Sequence, residues 1–167
     1  RLKALEINFV GIDFDQTIID VHTGGRWNGP AEELVSHVRP EFQQLLPALL
    51  HNDIQVAVVT FSPQTAMIQT ILESVVGLEL ARKIPIRGGD KTWTYNGEGA
   101  KKGKQAHLAS AVEELEQDEA CRITRATTVL IEDDTNNIRH ALKNGVRAVW
   151  LNPSKPHHLF RDLKNLE

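Results

Sequence analysis

Residues 7–17 read INFVGIDFDQT, an apolar run that passes directly into two aspartates, Asp13 and Asp15. The run predicts a buried strand from Ile7 to Phe14, because short apolar runs bounded by polar residues are typical of strands in sheet cores. Residues two apart in a strand share one face, so this strand would bring the two carboxylates close together. Like charges at that distance repel unless a cation neutralises them or one carboxyl keeps its proton.

The composition is ordinary for a globular protein, and it leaves nucleic acid possible as a partner but unsupported. The 167 residues are enough for one domain with a substantial core, and hydrophobic residues make up 41% of them. The net charge of −3 does not support binding to nucleic acid or to an anionic membrane. Cys121 is the single cysteine, which excludes an internal disulfide and favours a reducing compartment. The apolar runs are too short for a bilayer and the first residues lack a signal-peptide pattern, which favours the cytoplasm, with the nucleus as the alternative.

Strand-like and helix-like segments alternate along the chain, which predicts an α/β fold of the doubly wound, Rossmann-like kind, a parallel sheet with helices on both faces. We predict a single domain over residues 1–167. The predicted strands are residues 7–14, 55–61, 83–87, 128–132 and 147–151. The predicted helices are residues 31–51, with candidate breaks at Pro40 and Pro47, then 63–76, 104–118, 136–144 and a segment after Pro156.

Polar residues stand at three of the predicted strand ends, where ligands of such sheets bind. They are Asp13 and Asp15, Thr60 and Ser62, and Glu132, Asp133 and Asp134. Carboxylates and hydroxyls that converge on one point, without a histidine or cysteine cluster, predict a site for a hard cation such as Mg²⁺. Such a cation would make the paired aspartates tolerable.

Four motifs in this order resemble those of the haloacid dehalogenase (HAD) superfamily of phosphotransferases. The D-x-D-x-T motif that follows a strand matches Asp13 to Thr17, and the threonine or serine that ends the next strand matches Thr60. The lysine that opens a helix matches Lys104 in KGKQAHL, and the acidic pair after a later strand matches Glu132-Asp133. Together the motifs span about 120 of the 167 residues.

The chain is most similar in pattern to the cap-less, magnesium-dependent phosphatases of that superfamily. Their K-x-x-H motif matches Lys104 to His107, and an Asn-Ile pair five residues after the acidic pair matches Asn137-Ile138. Two positions depart from the pattern. Gln16 stands where many relatives carry glycine, and Glu132 stands where these relatives usually carry aspartate.

The resemblance implies a Mg²⁺-dependent phosphatase that hydrolyses a phosphate monoester through an aspartyl-phosphate. Asp13 would be the nucleophile, and Asp15, close to it, would serve as general acid and then as general base. Thr60, Ser62 and Lys104 would bind the phosphoryl oxygens. The metal ligands would be Asp13, the backbone carbonyl of Asp15, Asp133 and Glu132, with Glu132 bound directly or through water.

Several residues have a plainer interpretation beside the functional one. Lys101 and Lys102 compete with Lys104 for the phosphate-binding role, but Lys104 opens an amphipathic helix, whereas the other two lie in a loop. Asp134 fits an outer position or a helix N-cap. The aromatic residues Trp27, Trp93 and Tyr95 flank the predicted crevice as core residues or as substrate contacts, two alternatives that the sequence leaves open.

The intervals where relatives insert a cap domain, residues 18–30 and 76–104, are too short for a large one, which predicts an open site. Such a site suits a phosphoprotein, a phosphotyrosine-like compound or a sugar phosphate, and the acidic balance disfavours a nucleic acid. Two alternative functions use the same kind of sheet. A receiver-like signalling domain has no use for a general acid at Asp15, and a non-catalytic scaffold would not need the full charged set.

Overall fold

The computed structural model describes residues 1–118 and 121–167. It contains one sheet of five parallel strands in the order β3-β2-β1-β4-β5, so the predicted parallel α/β fold is confirmed. The strands are β1 (Phe9–Ile12), β2 (Gln55–Val59), β3 (Ile86–Arg87), β4 (Thr128–Glu132) and β5 (Arg147–Trp150). Because β1 lies between β2 and β4, the strand order reverses beside β1.

Helices cover both faces of the sheet, as predicted. They are α1 (Ala31–Val35), α2 (Pro40–His51), α3 (Thr65–Val76), α4 (Leu78–Ala81), α5 (Gln105–Asp118), α6 (Thr135–Lys143) and α7 (Leu159–Lys164). Successive strand residues point to opposite faces. Val10 and Ile12 therefore join the larger core with α1, α2, α3 and α7, while Phe9 joins the smaller core with α5 and α6.

Gly11 lets α5 approach the sheet closely. A Cβ at this position would lie 2.3 Å from the Cδ2 of Leu108 on α5, closer than carbon atoms can pack. The glycine that precedes the aspartates thus positions the helix whose first turn follows Lys104.

The first strand is shorter than predicted. It ends at Ile12, and the chain then makes a tight turn over Phe14–Ile18, in which Asp15 is extended and Gln16 adopts a left-handed φ of 59°. The expectation that Asp13 and Asp15 lie two apart on one strand face is therefore wrong. That φ also explains why glycine suits the position of Gln16, since residues with a Cβ disfavour this region.

A buried arginine stabilises this turn. Arg39 is 7% exposed, and its guanidinium donates to the backbone carbonyls of Thr17 and Gln16 at 3.0 Å each. The turn carbonyls are thus satisfied by a residue from a distant part of the chain. Hydrophobic periodicity contains no information about such a long-range hydrogen bond. For this reason the sequence predicts a strand that continues through Phe14.

Other boundaries differ by a few residues. The predicted helix over residues 31–51 divides before Pro40, which takes the first position of α2, but Pro47 does not interrupt that helix. The carbonyl of Gln43, which loses its partner at Pro47, belongs to an exposed residue and can bond to water. Strand β2 ends at Val59 rather than residue 61, β3 keeps only two residues, and α4 was not predicted. Within the described part of the chain, no helix has the length and apolar character needed to cross a bilayer.

Candidate active site

A cleft of about 340 Å³ opens at the carboxyl ends of the strands, where the strand order reverses. It brings together the residues that the sequence predicts for catalysis, phosphate binding and metal binding. They are Asp13, Asp15, Thr60, Ser62, Lys104, Glu132 and Asp133. Each follows or ends a strand, apart from Lys104, which directly precedes α5.

Lys104 is the central cation of this cleft and is only 1% exposed. Its Nζ donates to Asp13 Oδ1 at 2.7 Å and to the backbone carbonyl of Val59 at 2.8 Å. The same nitrogen lies 3.6 Å from Glu132 Oε2. An ammonium group is buried only where partners of this kind replace its hydration, so its position is firmly determined.

The neighbouring lysines are placed differently. Lys101 and Lys102 are both exposed, and the Nζ of Lys101 lies 5.9 Å from the ring centroid of Tyr95, on the loop before α5. Of the three candidates for the phosphate-binding lysine, only Lys104 lines the cleft.

Three carboxylates face one another in the cleft. Asp13, Glu132 and Asp133 each place an oxygen within 4.8 Å of the others, and this is the one group with metal-binding geometry among the described residues. The hydroxyl of Thr17 lies 3.2 Å from Asp13 Oδ2 and 3.1 Å from Asp133 Oδ1. The cluster therefore joins the end of β1 to the end of β4.

Burial raises the pKa of two of these three carboxyl groups. Burial raises the pKa of Asp13 and outweighs the opposite effect of the Lys104 ammonium, while the Asp133 charge raises it further. Burial, followed by the charge of Asp13, raises the pKa of Glu132 to about 8. Three carboxylates against one ammonium leave an excess of negative charge, which a divalent cation would offset.

The donor set fits such a cation. The cluster offers oxygen atoms alone, the ligands that Mg²⁺ prefers. Glu132 is oriented by three donors: its Oε1 accepts from the backbone N–H groups of Asp133 and Asp134, and its Oε2 accepts from Asn137 Nδ2 at 3.1 Å. Hydrogen bonds that orient a ligand in this way are typical of metal sites.

Asp15 lines the same cleft but is held by a different part of the chain. A flap, defined as residues 21–25, supplies the donors: Thr23 N–H, the Thr23 hydroxyl and Gly24 N–H, all within 3.0 Å of the carboxylate. The Nδ1 of His22, an exposed residue, lies 3.6 Å from Asp15 Oδ2. The Asp15 carboxylate does not belong to the three-carboxylate cluster.

The predicted hydroxyl residues lie at the end of β2. Thr60 and Ser62 are 2% and 6% exposed, and the Thr60 hydroxyl accepts a hydrogen bond from the backbone N–H of Ser62 at 3.1 Å. The hydroxyl proton of Thr60 is therefore directed to another acceptor. Asp134 caps α6, since its side chain accepts from the N–H of Asn136 at 2.7 Å, as predicted.

The three predicted aromatic contacts lie outside the cleft lining. Trp27 packs on the larger core, and the Trp93 indole donates to the carbonyl of Gly88 at 2.8 Å. Tyr95 lies beside a second cavity along α5. Phe61 takes the position expected of them, since it lines the cleft with 59% of its surface exposed.

Phe61 also contacts the buried lysine and the histidine of the K-x-x-H motif. Its ring centroid lies 4.3 Å from Lys104 Nζ and 5.3 Å from the ring of His107, which in turn packs on Trp93 at 4.7 Å. Burial and the nearby Lys104 charge lower the pKa of His107 to about 4, so the ring is neutral at neutral pH. His107 thus packs behind Lys104 as a neutral ring that also hydrogen-bonds to the backbone of Thr60.

Three residues of the site, Arg39, Thr23 and Phe61, are not predicted from the sequence. Arg39 and Thr23 act through backbone turns whose shape no periodicity encodes. Phe61 could have been predicted from the sequence. It lies directly between Thr60 and Ser62 at a predicted strand end, where a large apolar side chain is not expected to be buried in the core.

Comparison with solved structures agrees with this architecture. No model of a known protein family matches the sequence, and no curated protein matches it. The HAD domain of the effector protein Lem4 from Legionella pneumophila, in an inactive mutant, covers 95% of this chain and 93% of its own length, at 16% identity and a TM-score of 0.53. A predicted phosphatase from Clostridium acetobutylicum covers 95% and 90%, at 17% identity and a TM-score of 0.53.

A third structure contains a metal. The N-terminal part of a Bacteroides fragilis protein, which contains a phosphatase domain and is complexed with Mg, covers 96% of this chain at 16% identity and a TM-score of 0.62. This chain spans 41% of that structure. The fold of the present chain is that of HAD domains, as the four motifs indicated.

Proposed function

We propose that this protein is a Mg²⁺-dependent phosphatase that hydrolyses phosphate monoesters through a phosphorylated Asp13. The observation that carries the proposal is the buried ammonium of Lys104, 2.7 Å from Asp13, beside a cluster of three carboxylates. A buried cation next to an excess of acids prepares the cleft for a dianionic group together with a divalent ion. The HAD fold and the phosphatase domains that share it support the same function.

Asp13 is the group placed for nucleophilic attack. Its Oδ1 is fixed by Lys104, so Oδ2, which accepts a hydrogen bond from the Thr17 hydroxyl at 3.2 Å, is the oxygen left to approach phosphorus. A bound Mg²⁺, held by Asp13, Glu132 and Asp133, would neutralise the phosphoryl oxygens and keep Asp13 ionised. Attack forms the bond between Oδ2 and phosphorus and breaks the bond from phosphorus to the ester oxygen, which divides hydrolysis into two easier steps.

Asp15 is the acid-base candidate. It donates a proton to the departing ester oxygen, and then takes a proton from the water that cleaves the aspartyl-phosphate. Its hydrogen bonds to Thr23 and Gly24 tie this carboxyl to the exposed flap. A general acid on a flap can be presented to substrates whose leaving groups differ in size.

The remaining polar groups bind the transferred phosphoryl group. Lys104 offers a positive charge, and the Thr60 hydroxyl offers a proton at the end of β2. Both groups are buried and therefore preorganised, so they stabilise the charge of the transition state without reorganising.

The substrate class follows from the shape of the cleft. Of the interval 76–104, one of the two suited to a cap, residues 88–104 contain no helix or strand, and the other interval, residues 18–30, contains the flap. The exposed ring of Phe61 offers an apolar surface beside the phosphoryl site, which suits an aryl phosphate such as phosphotyrosine in a protein or peptide. Sugar phosphates remain the second substrate class, since the open cleft also admits them.

The receiver-like alternative receives less support. A receiver needs an acidic cluster, a threonine and a lysine, all of which this cleft contains. It does not need a second aspartate held by a separate flap beside the phosphorylated one. The Asp15 arrangement thus favours hydrolysis over signalling by a stable phosphoaspartate.

Hydrolysis of p-nitrophenyl phosphate by the purified chain, with and without a chelator, tests the proposal. We expect turnover with Mg²⁺ and loss of turnover in excess chelator, because the uncompensated carboxylates then repel the substrate. Acid quenching followed by mass spectrometry should find the phosphoryl group on Asp13. Undiminished turnover in chelator contradicts the metal assignment, and phosphate on another residue contradicts the nucleophile.

A further inference from the structure

A second cavity lies along α5, outside the catalytic cleft. This cavity, called the α5 groove, has a volume of about 250 Å³ and lies between α5, the loop before it and the segment that leads into β4. None of the catalytic, phosphate-binding or metal-binding candidates lines it. Its volume lies just below the range of drug-sized ligand pockets, so a small molecule would fill it.

The walls of the α5 groove are largely apolar. Leu108, Ile123 and Val146 are buried members of the smaller core, and Val112 packs against them. An apolar lining of this kind favours the hydrocarbon part of a ligand, because filling it removes apolar surface from water.

Gln105 gives the groove a polar group without a partner. Gln105 lines the groove and is 6% exposed, and its Nε2 is buried without a hydrogen bond. A buried donor left unpaired is destabilising, and native proteins rarely retain one without a water or ligand to satisfy it. The groove therefore contains a donor suited to a ligand oxygen.

Two further donors lie in the same lining. The Tyr95 hydroxyl accepts a hydrogen bond from Gly99 N–H at 3.2 Å, which leaves its proton to donate, and the exposed Arg125 guanidinium makes no hydrogen bond to the described residues. A Cβ on Gly99 would lie 2.7 Å from the Tyr95 hydroxyl and 3.5 Å from Arg125 Nη2, so these two donors lie close together. Donors and a positive charge without acceptors select an anionic oxygen ligand.

One acidic residue also lines the groove. Glu113 follows Gln105 by eight residues on α5, which separates their backbones by about 12 Å at 1.5 Å per residue. An anionic group near Gln105 would therefore avoid Glu113, while the apolar body of the same ligand lies between the two ends.

We propose that the α5 groove binds a small carboxylic acid with an apolar body. The carboxylate accepts hydrogen bonds from Arg125 and Tyr95, an oxygen satisfies Gln105, and the body packs on the apolar wall formed by Leu108 and Val112. This site does not depend on the phosphatase activity, since it shares no residue with the catalytic cleft.

Nuclear magnetic resonance titration of the ¹⁵N-labelled full chain tests the site, with benzoate and indole-3-acetate as probes and benzamide as the neutral match for benzoate. We expect saturable shift changes at the backbone amides of Leu108, Ala109 and Val112 with at least one acid, and weaker binding of benzamide. Shift changes that do not saturate with either acid, or that map to the cleft around Thr60, overturn the proposal.

Two exposed arginines three residues apart provide a matched pair of variants. Arg125→Ala should raise the Kd for the acid by about tenfold or more, because it removes a charge-assisted hydrogen bond. Arg122→Ala removes an exposed arginine that does not line the groove, so its Kd should stay unchanged. Equal Kd values for the wild type and Arg125→Ala overturn the proposal.

Gln105→Met separates ligand binding from a packing role. Replacing the unpaired amide with an apolar side chain of similar length should raise the Tm of the ligand-free protein and weaken binding of the acid. Unchanged affinity in a folded Gln105→Met variant would show that Gln105 does not contact the ligand and would overturn its assigned role.

Discussion

Asp13 and Asp15 line the same cleft, yet one belongs to the sheet and the other to the flap. Asp13 is 6% exposed, directly follows a central strand and is fixed by the buried Lys104. Asp15 lies in a tight turn, and the half-buried Thr23 and the exposed Gly24 of the flap donate its hydrogen bonds. The proposed nucleophile is therefore held by the core, whereas the proposed acid is held by a separate surface segment.

The sharpest test of this comparison is Asp13→Asn. We expect turnover to fall to background, because an amide cannot form the phosphorylated intermediate. The variant should still bind tungstate, an oxyanion of phosphoryl-like shape, which isothermal titration can measure. Residual activity close to wild type would show that Asp13 is not the nucleophile.

Asp15→Asn should have a smaller effect that depends on the leaving group. For an alkyl phosphate we expect a loss of roughly 10²–10⁴-fold in kcat, the usual worth of general acid-base catalysis. For p-nitrophenyl phosphate the first step should be less affected, because that leaving group departs without a proton, and phosphorylated Asp13 should accumulate. Equal losses of kcat/KM, which reports the first step, for the two substrates would contradict the acid role.

Lys104→Ala tests the electrostatic contribution of the buried ammonium group on the sheet side of the cleft. We expect kcat/KM to fall on the order of 10²-fold or more, as for the loss of one preorganised contact to the transition state. Lys101→Ala and Lys102→Ala remove exposed, screened charges and should be nearly silent. Circular dichroism checks that each variant is folded. If kcat/KM is unchanged in Lys104→Ala but reduced in Lys102→Ala, the phosphate-binding lysine is Lys102 in the loop.

A further expected effect is a pH dependence of stability in metal-free protein. The pKa of Glu132 is raised to about 8 in the folded state, against about 4.3 in an unfolded chain. Between these values the folded state binds more protons, so the free energy of unfolding should fall as the pH rises from about 4.3 to about 8. One proton limits this slope to about 1.4 kcal/mol per pH unit. The raised pKa of Asp13 acts in the same direction.

Urea denaturation in chelator at a series of pH values measures this slope. Glu132→Gln should flatten it, because the amide does not titrate. Adding Mg²⁺ should restore stability most at the higher pH values, where the carboxylates are ionised. A slope that is identical in wild type and Glu132→Gln would show that another group is responsible.

Much of this fold can be predicted from the sequence, because the sequence features that predict its strands and helices are local. Apolar runs marked the strands, and the start of α2 and the capping role of Asp134 followed from the chemistry of single residues. Errors occurred where a distant residue decides the backbone. Arg39 fixes the turn that ends β1, and the expected strand through Phe14 did not account for it.

In the candidate site, too, some features are determined by the local sequence and others by contacts between distant residues. The sequence by itself determined which charged residues stand at strand ends, since residue type and spacing are properties of the chain. Tertiary structure alone decided that Lys104 is buried against Asp13, that burial and the charge of Asp13 raise the pKa of Glu132, and that Phe61 rather than Trp27 faces the cleft. Burial and distances between charges arise only when separate segments pack together, and these quantities determine pKa values and electrostatic strength.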